Sequence, residues 1–181
     1  YGILPVGLDA LDMVRIEAGF VMNGVDYHSS RHCIIDSRKS TPLELGLEWT
    51  VQVDRDPFVG QAALQREVRD GSKWKFVGLQ MNWDEIEALY ERHNLPPSLA
   101  GGAWRSPIPI YADRRASQVG YATSGTWSPI LKKNLAMAHI QAPWADLGQE
   151  LQIELTVEFE RKTVTATVVD KPFFDPERKR G

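Results

Sequence analysis

Five short runs decide the fold: IPIY (108–111), QVGYATSG (118–125), LAMAHI (135–140), LQIELTVEF (151–159) and TVTATVV (163–169). Each is a few residues of β-branched, aromatic and small side chains, and Gly, Asp, Pro and charged turns separate them. Their spacing predicts an antiparallel barrel or sandwich. Ser124-Gly125-Thr126-Trp127-Ser128-Pro129 reads as a tight bend between strands, with Pro129 barred from the ladder. Glu160-Arg161-Lys162 is expected to close a hairpin, and Pro172 to Pro176 to end the last strand ahead of a short basic tail.

Upstream lies a Pro/Gly-rich connector, NLPPSLAGGAWRSPIP (94–109), and before it a different pattern. DEIEALYERH (84–93) places Ile86, Leu89, Tyr90 and His93 on one helical face, so His93 reads as a half-buried residue at a helix end. Residues 76–81 form a strand candidate, and GQAALQREVRD (60–70) a helix with Leu64 and Val68 together. Thr41-Pro42 reads as a capped turn leading into a strand over 43–54, with Trp49, Val51 and Val53 on its half-buried face. Residues 25–42 are rich in Ser, Arg, Lys and Asp and read as an exposed loop after a short extended run at 20–25.

The first helix is LDALDMVRIEAG (8–19), stopped by Gly19. At 100° per residue, Leu8, Leu11, Val14 and Ala18 share a stripe into which Arg15 falls. Two explanations fit. The arginine stem covers apolar surface while its head snorkels and pairs with Asp12, or the guanidinium points into a cleft to grip a carboxylate or carbonyl edge.

Composition narrows the function classes. The 181 residues are 43% apolar and 9% aromatic, enough for a real core, and the net charge is −3 with both signs interspersed. No basic face for nucleic acid and no polybasic membrane signal follow from that, and the ERKRG end is a solvated tail. One cysteine, Cys33, forms no intrachain disulfide, so a cytoplasmic setting is expected. The chain starts at Tyr1, which points to processing or to part of a longer polypeptide.

Phosphate loops, dinucleotide fingerprints, GxSxG elbows and HExxH motifs are absent. His28 and His32 are one helical turn apart without a third ligand in a zinc-like pattern, so no metal is expected. Cys33 beside His32 is discounted as a nucleophile pair, since neighbours on an extended chain point to opposite faces. Spacing alone therefore yields an α+β protein with a ligand cleft near Arg15.

Ordered segments add a resemblance. GLDALDMVRIEAGF, TPLELGLEWTV, FVGQAAL, VGYATSGTWSPILKKNLAMAHI and VVDKPFFDPERKR resemble, in this order, the carboxy-terminal half of the glycine cleavage T-protein (aminomethyltransferase) family. The family is a cloverleaf that binds tetrahydrofolate and passes it a one-carbon unit. The resemblance implies that residues 1–53 finish a folate-binding core and that 54–181 form an antiparallel β-barrel-like carboxy-terminal domain, with a helical elaboration at about 82–105.

It further implies that Arg15 lies near the folate and that Trp49 lines the same hole. Those residue types suit a pterin, which offers a carbonyl and amide edge and a flat face. Asn23 stands in Met22-Asn23-Gly24 where relatives commonly carry Leu-Tyr-Gly, so a tyrosine contact is replaced by a shorter amide. The family's catalytic aspartate and acidic pterin anchor belong upstream, so no catalytic residue is assigned within this chain. The implied partners are folate, a small one-carbon donor and an amino-terminal half. The family also includes demethylases and folate domains fused to flavin amine dehydrogenases. A non-catalytic folate-binding or assembly module is the alternative, and a purely structural chain with Arg15 closed on Asp12 is a third.

Overall fold

The computed structural model describes residues 2–99, 101–113 and 117–177, so the tail at 178–181 lies outside the described residues. Six strands close into one antiparallel barrel, which is the α+β architecture expected from the strand spacing. They are β1 (Trp74–Met81), β2 (Ile108–Tyr111), β3 (Gln118–Ser128), β4 (Lys133–Gln141), β5 (Glu150–Val157) and β6 (Glu160–Val169). The order around the barrel is β1-β4-β3-β2-β5-β6, and β1 closes it by pairing with both β4 and β6. Closure leaves no edge strand to protect.

The interior holds Leu79, Ile110, Ile140, Leu151, Ile153 and Val164, all fully buried. Gly125 of β3 permits a close approach: a Cβ there would run into the Trp104 ring and the Leu135 carbonyl. Trp104 and Gly125 also exchange backbone hydrogen bonds in both directions, at 2.9 and 3.1 Å, which pins the Pro/Gly-rich connector to the barrel.

Two turns differ from expectation. Ser124 to Ser128 continue β3 past an irregularity between Ala122 and Ser124, and the chain reverses after Ser128 instead. The physical reason is pairing: Ser124 to Ser128 all find partners on β4, so the small residues are ladder residues. The last hairpin turns at Glu158 and Phe159, both at positive φ (46° and 64°), and Glu160 already pairs with Val157.

Helix α2 (Gln61–Asp70) and helix α3 (Trp83–Glu91) lie where their periodicity puts them. The Asn82 side chain caps α3 by accepting the Glu85 N–H, Ile86 and Leu89 enter the barrel core, and His93 is half-buried just beyond the helix. Glu85 also accepts the Thr165 N–H (2.7 Å) and hydroxyl (2.8 Å), tying the helix to β6.

Helix α1 (Leu8–Glu17) packs on β3 and β4, but turned about its axis, so that Arg15 of the predicted stripe faces inward while the stripe's apolar members face out. Leu8, Leu11 and Val14 are 82, 57 and 53% exposed, while Asp12, Arg15, Ile16 and Glu17 are buried. The reason is that each buried charge meets a fixed partner; Glu17, for example, accepts the Ser128 hydroxyl at 2.6 Å. Hydrogen-bonded partners offset the desolvation that would otherwise keep these groups in water.

The region around Trp49 is not a strand. Thr41 and Glu44 form a reciprocal capping box (3.1 Å each way), as the capped turn predicts, but Gly46 takes φ 71° and Glu48–Thr50 wind into a 3-10 turn. Trp49 is consequently 79% exposed rather than half-buried. The loop at 25–42 is largely exposed, with one exception: Asp26 is 1% exposed.

Replacing Gly125 by alanine should cost about 1–3 kcal/mol by overpacking against Trp104. Urea denaturation read by tryptophan fluorescence checks this, and an unchanged midpoint would show the approach is not tight.

Candidate functional site

The polar collar between α1 and the barrel is built on Asp26. Its Oδ2 accepts from Arg15 Nη1 at 2.6 Å and from the Met22 N–H at 2.9 Å. Its Oδ1 accepts from the Thr123 hydroxyl at 2.5 Å and the Ser124 hydroxyl at 2.8 Å, both on β3. Its backbone carbonyl accepts from His139 Nε2 of β4 at 2.6 Å, which places the imidazole proton on Nε2. One residue in a polar loop thus gathers the helix, the loop and two strands.

Arg15 spans this hub and a second carboxylate. Its Nε donates to Asp12 at 2.7 Å, and Asp12 also accepts from Arg105 Nε of the connector at 2.8 Å. Burial pushes the Asp12 carboxyl up, but hydrogen bonds from Arg105 and Arg15 and their charges outweigh it and hold the group below its ordinary value. Arg15 Nη2 is buried and has no hydrogen-bond partner among the described residues. It is the one guanidinium nitrogen left without a partner among the described residues.

His139 stacks on Tyr121 (centroids 5.3 Å apart) and meets the Phe76 ring at 4.9 Å. Burial lowers its pKa, against the Asp26 hydrogen bond and charge, which raise it. Tyr121, Thr123, His139, Asp26 and Arg105 line a cavity of about 380 Å³ on this side of the barrel.

A second cavity, of about 580 Å³, opens beyond Phe76. Gly19, Phe20, Leu47, Trp49, Phe76 and Lys171 are among its lining residues. Lys171 lies over the Phe76 ring, its ammonium 4.2 Å from the centroid.

The three residues singled out in the sequence fall in different surroundings. Arg15 lines neither cavity; it is enclosed by the two carboxylates. Asn23 is exposed in the turn that Asp26 closes, with its Oδ1 accepting the Ser29 N–H at 3.2 Å. Trp49 stands on the rim of the larger cavity with neither of the others. Sequence reading missed Asp26, His139 and Lys171. Asp26 carries no signal in a loop of charged residues, although the adjacent hydroxyls of Thr123 and Ser124 inside a strand hinted at a buried acceptor. Among the described residues no group of His, Cys, Asp and Glu is arranged to hold a metal ion, and no helix is long and apolar enough to cross a membrane.

Fold and site together define a class: an antiparallel barrel domain with a helix-and-loop collar locked on by buried charge. Residues 75–175 match the glycine cleavage T-protein C-terminal barrel domain, and the chain belongs to that family. The aminomethyltransferase of Synechococcus elongatus is 34% identical over 174 residues, covering 96% of this chain and 38% of the relative. That of Thermoanaerobacter pseudethanolicus is 31% identical over 180 residues, covering 99% and 40%. The glycine cleavage system aminomethyltransferase T of Bartonella henselae shares the fold, with a TM-score of 0.68 at 23% identity over 93% of this chain and 39% of its own. The chain therefore spans about two-fifths of the length of these relatives.

Two outcomes follow from the collar. Asp26→Ala leaves Arg15 buried without its partner and should cost about 3–5 kcal/mol in chemical denaturation. Burial holds the folded pKa of His139 below its ordinary value, so the unfolded chain takes up the proton first, and the stability present above the ordinary pKa is lost as pH falls through it. The denaturation midpoint should drop between about pH 7.5 and pH 5.5, and drop less in His139→Gln.

Proposed function

We propose that this chain is the carboxy-terminal portion of a tetrahydrofolate-dependent aminomethyl or methyl transferase, completed by an amino-terminal portion in the same polypeptide or in a partner chain. Residues 1–53 would complete the folate-binding core and 54–181 the barrel domain, including the segment at about 82–105. A cytoplasmic location accords with the single cysteine.

The observation that carries this reading, beside family membership, is the exposed indole of Trp49 on the rim of a cavity with Phe76. Apolar aromatic surface of that size left open to solvent suits a flat ring laid against it. Arg15 is the positioning residue. Its Nη1 grips Asp26 at the end of the loop that carries Asn23, while its Nε is held by Asp12 of the same helix.

Tetrahydrofolate, when bound, supplies the secondary amine that takes up a one-carbon unit. The work of this chain is to bind and orient it. Holding two reactants in fixed register converts a bimolecular encounter into an effectively intramolecular one. The proton acceptor for the donor amine belongs to the amino-terminal portion.

One observation favours the alternative of an assembly module. Ile3, Leu4 and Val6, with Leu8, Leu11 and Val14 on the outer face of α1, are all more than half exposed. Such a contiguous apolar stretch suits burial against another protein surface. An upstream aspartate facing the folate would favour transfer, and an apolar residue in its place would favour binding alone.

The test is tetrahydrofolate affinity of the full polypeptide with Trp49→Ala. Losing an aromatic packing partner should weaken binding by about tenfold. Unchanged affinity would remove Trp49 from the site. Separately, the 181 residues alone should show no transferase turnover; turnover would place the base within this chain.

A further inference from the structure

Helix α2 is hung between two glycines. Gly60 caps its start at φ 92° and Gly71 its end at φ 84°, a backbone region open to glycine, and a Cβ on either would meet nothing within 4 Å. No residue of the helix is buried. What holds it is polar: Gln61 Nε2 donates to the carbonyls of Val53 (2.8 Å) and Arg55 (2.9 Å), Gln65 Nε2 donates to that of Val53 (3.0 Å), and Glu67 Oε1 accepts the hydroxyls of Thr41 (2.7 Å) and Ser72 (2.5 Å). The packing of an apolar face, which gives most helices their place, is missing here.

Beside α2 lies an open groove of about 490 Å³. Leu43, Phe76 and Val77 line one wall and Val68 of α2 the other, yet Val68 is 55% exposed. The first wall is fixed, since the Glu44 carbonyl accepts the Phe76 N–H of β1 at 2.7 Å. The second is the loosely held helix.

Two carboxylates meet at this groove through one threonine. Thr41 Oγ1 accepts the Glu44 N–H at 3.1 Å and donates to Glu67, while Glu44 Oε2 accepts the Thr41 N–H at 3.1 Å. Glu48 lines the groove as well, and Lys75 of β1, on the same groove, reaches Asp146 at 3.9 Å. Burial raises the pKa of Glu44, the Thr41 N–H opposes that, and the charge of Glu67 adds to it. Behind the groove the Tyr121 phenol of β3 is raised by burial and by Glu44, against Arg38, which lowers it.

We propose that α2 is a flap, hinged at Gly60 and Gly71 and pivoting on the Glu67–Thr41 bond, that closes the groove and seats Val68 against Leu43 and Phe76 when Glu44 takes up a proton. With both carboxylates charged, like-charge repulsion across Thr41 opposes the closing of the walls. A proton on Glu44 removes that repulsion and lowers the cost of taking the carboxyl out of water. The apolar surface on the two walls then supplies the closing contact. Glu44 takes its proton at a higher pH than a free glutamate, so the flap closes on the acid side of neutrality.

The experiment follows the Val68 methyl signals by NMR, and the amide exchange of α2, in the full polypeptide between about pH 7.5 and pH 5. In the parent the Val68 methyls should move upfield as pH falls, because they come under the Phe76 ring, and the protection factors of the α2 amides should rise several-fold. Glu44→Gln should show the closed-state signals and protection throughout, with no pH dependence. Glu67→Gln keeps an oxygen for the Thr41 and Ser72 hydroxyls while losing the charge, and should behave the same way. The β4 amides should keep their protection in all three proteins. Val68 signals that ignore pH in the parent, or that titrate in either variant as they do in the parent, overturn the flap. Exchange in β4 that changes in step with α2 also overturns it, because the helix would then only be following the barrel.

Discussion

The ion pair between Arg15 and Asp26 is the constraint on which the rest depends. Two ions of opposite charge are withdrawn from water, and the loss of hydration is offset only because every lone-pair direction of the carboxylate is used. Those four hydrogen bonds come from the helix, the loop backbone and β3, so the pair cannot form unless all three are in register. An apolar contact of the same area would hold the helix on the barrel but would let it slide. Directional bonds to a buried carboxylate fix position as well as proximity.

From that fixed point the geometry propagates through aromatic contacts. Asp26 meets His139 through its carbonyl, His139 meets the Phe76 ring, and Phe76 in turn lies under the Lys171 ammonium. One chain of contacts therefore links the smaller cavity, lined by Tyr121 and Thr123, to the larger one, lined by Trp49 and Lys171. Meanwhile the outer face of α1 is left apolar and exposed. The helix thus turns its charges inward and leaves its leucines open to solvent.

Much of the barrel was legible because strand signals are local. Val, Ile, Thr and aromatic residues between turn residues need only their neighbours to be read, and the β1 to β6 positions follow from them. Turn placement was less legible. Ser124 to Ser128 looked like a bend because small residues favour turns, yet tertiary pairing to β4 overrode that preference. The orientation of α1 was misread for a related reason. Periodicity assigns apolar residues to the inside, and nothing local reveals that Asp12, Arg15 and Glu17 each have a partner many residues away. Trp49 was misplaced because the alternation of LEWTVQV resembles a strand, while Gly46 and the capping box close a turn first. Asp26 and Lys171 were invisible, since their importance lies in what the fold brings beside them.

Whether Arg15 holds the collar through Asp26 is read out by amide hydrogen exchange at Met22. Its N–H donates to the same Asp26 Oδ2 that Arg15 grips, so it reports on the collar without lying in the barrel. In Arg15→Met the Met22 amide should exchange at nearly the rate of an unfolded chain while the β4 amides keep their protection. Protection of Met22 equal to that of the parent would contradict the account, because the loop would then be held by something other than the buried ion pair.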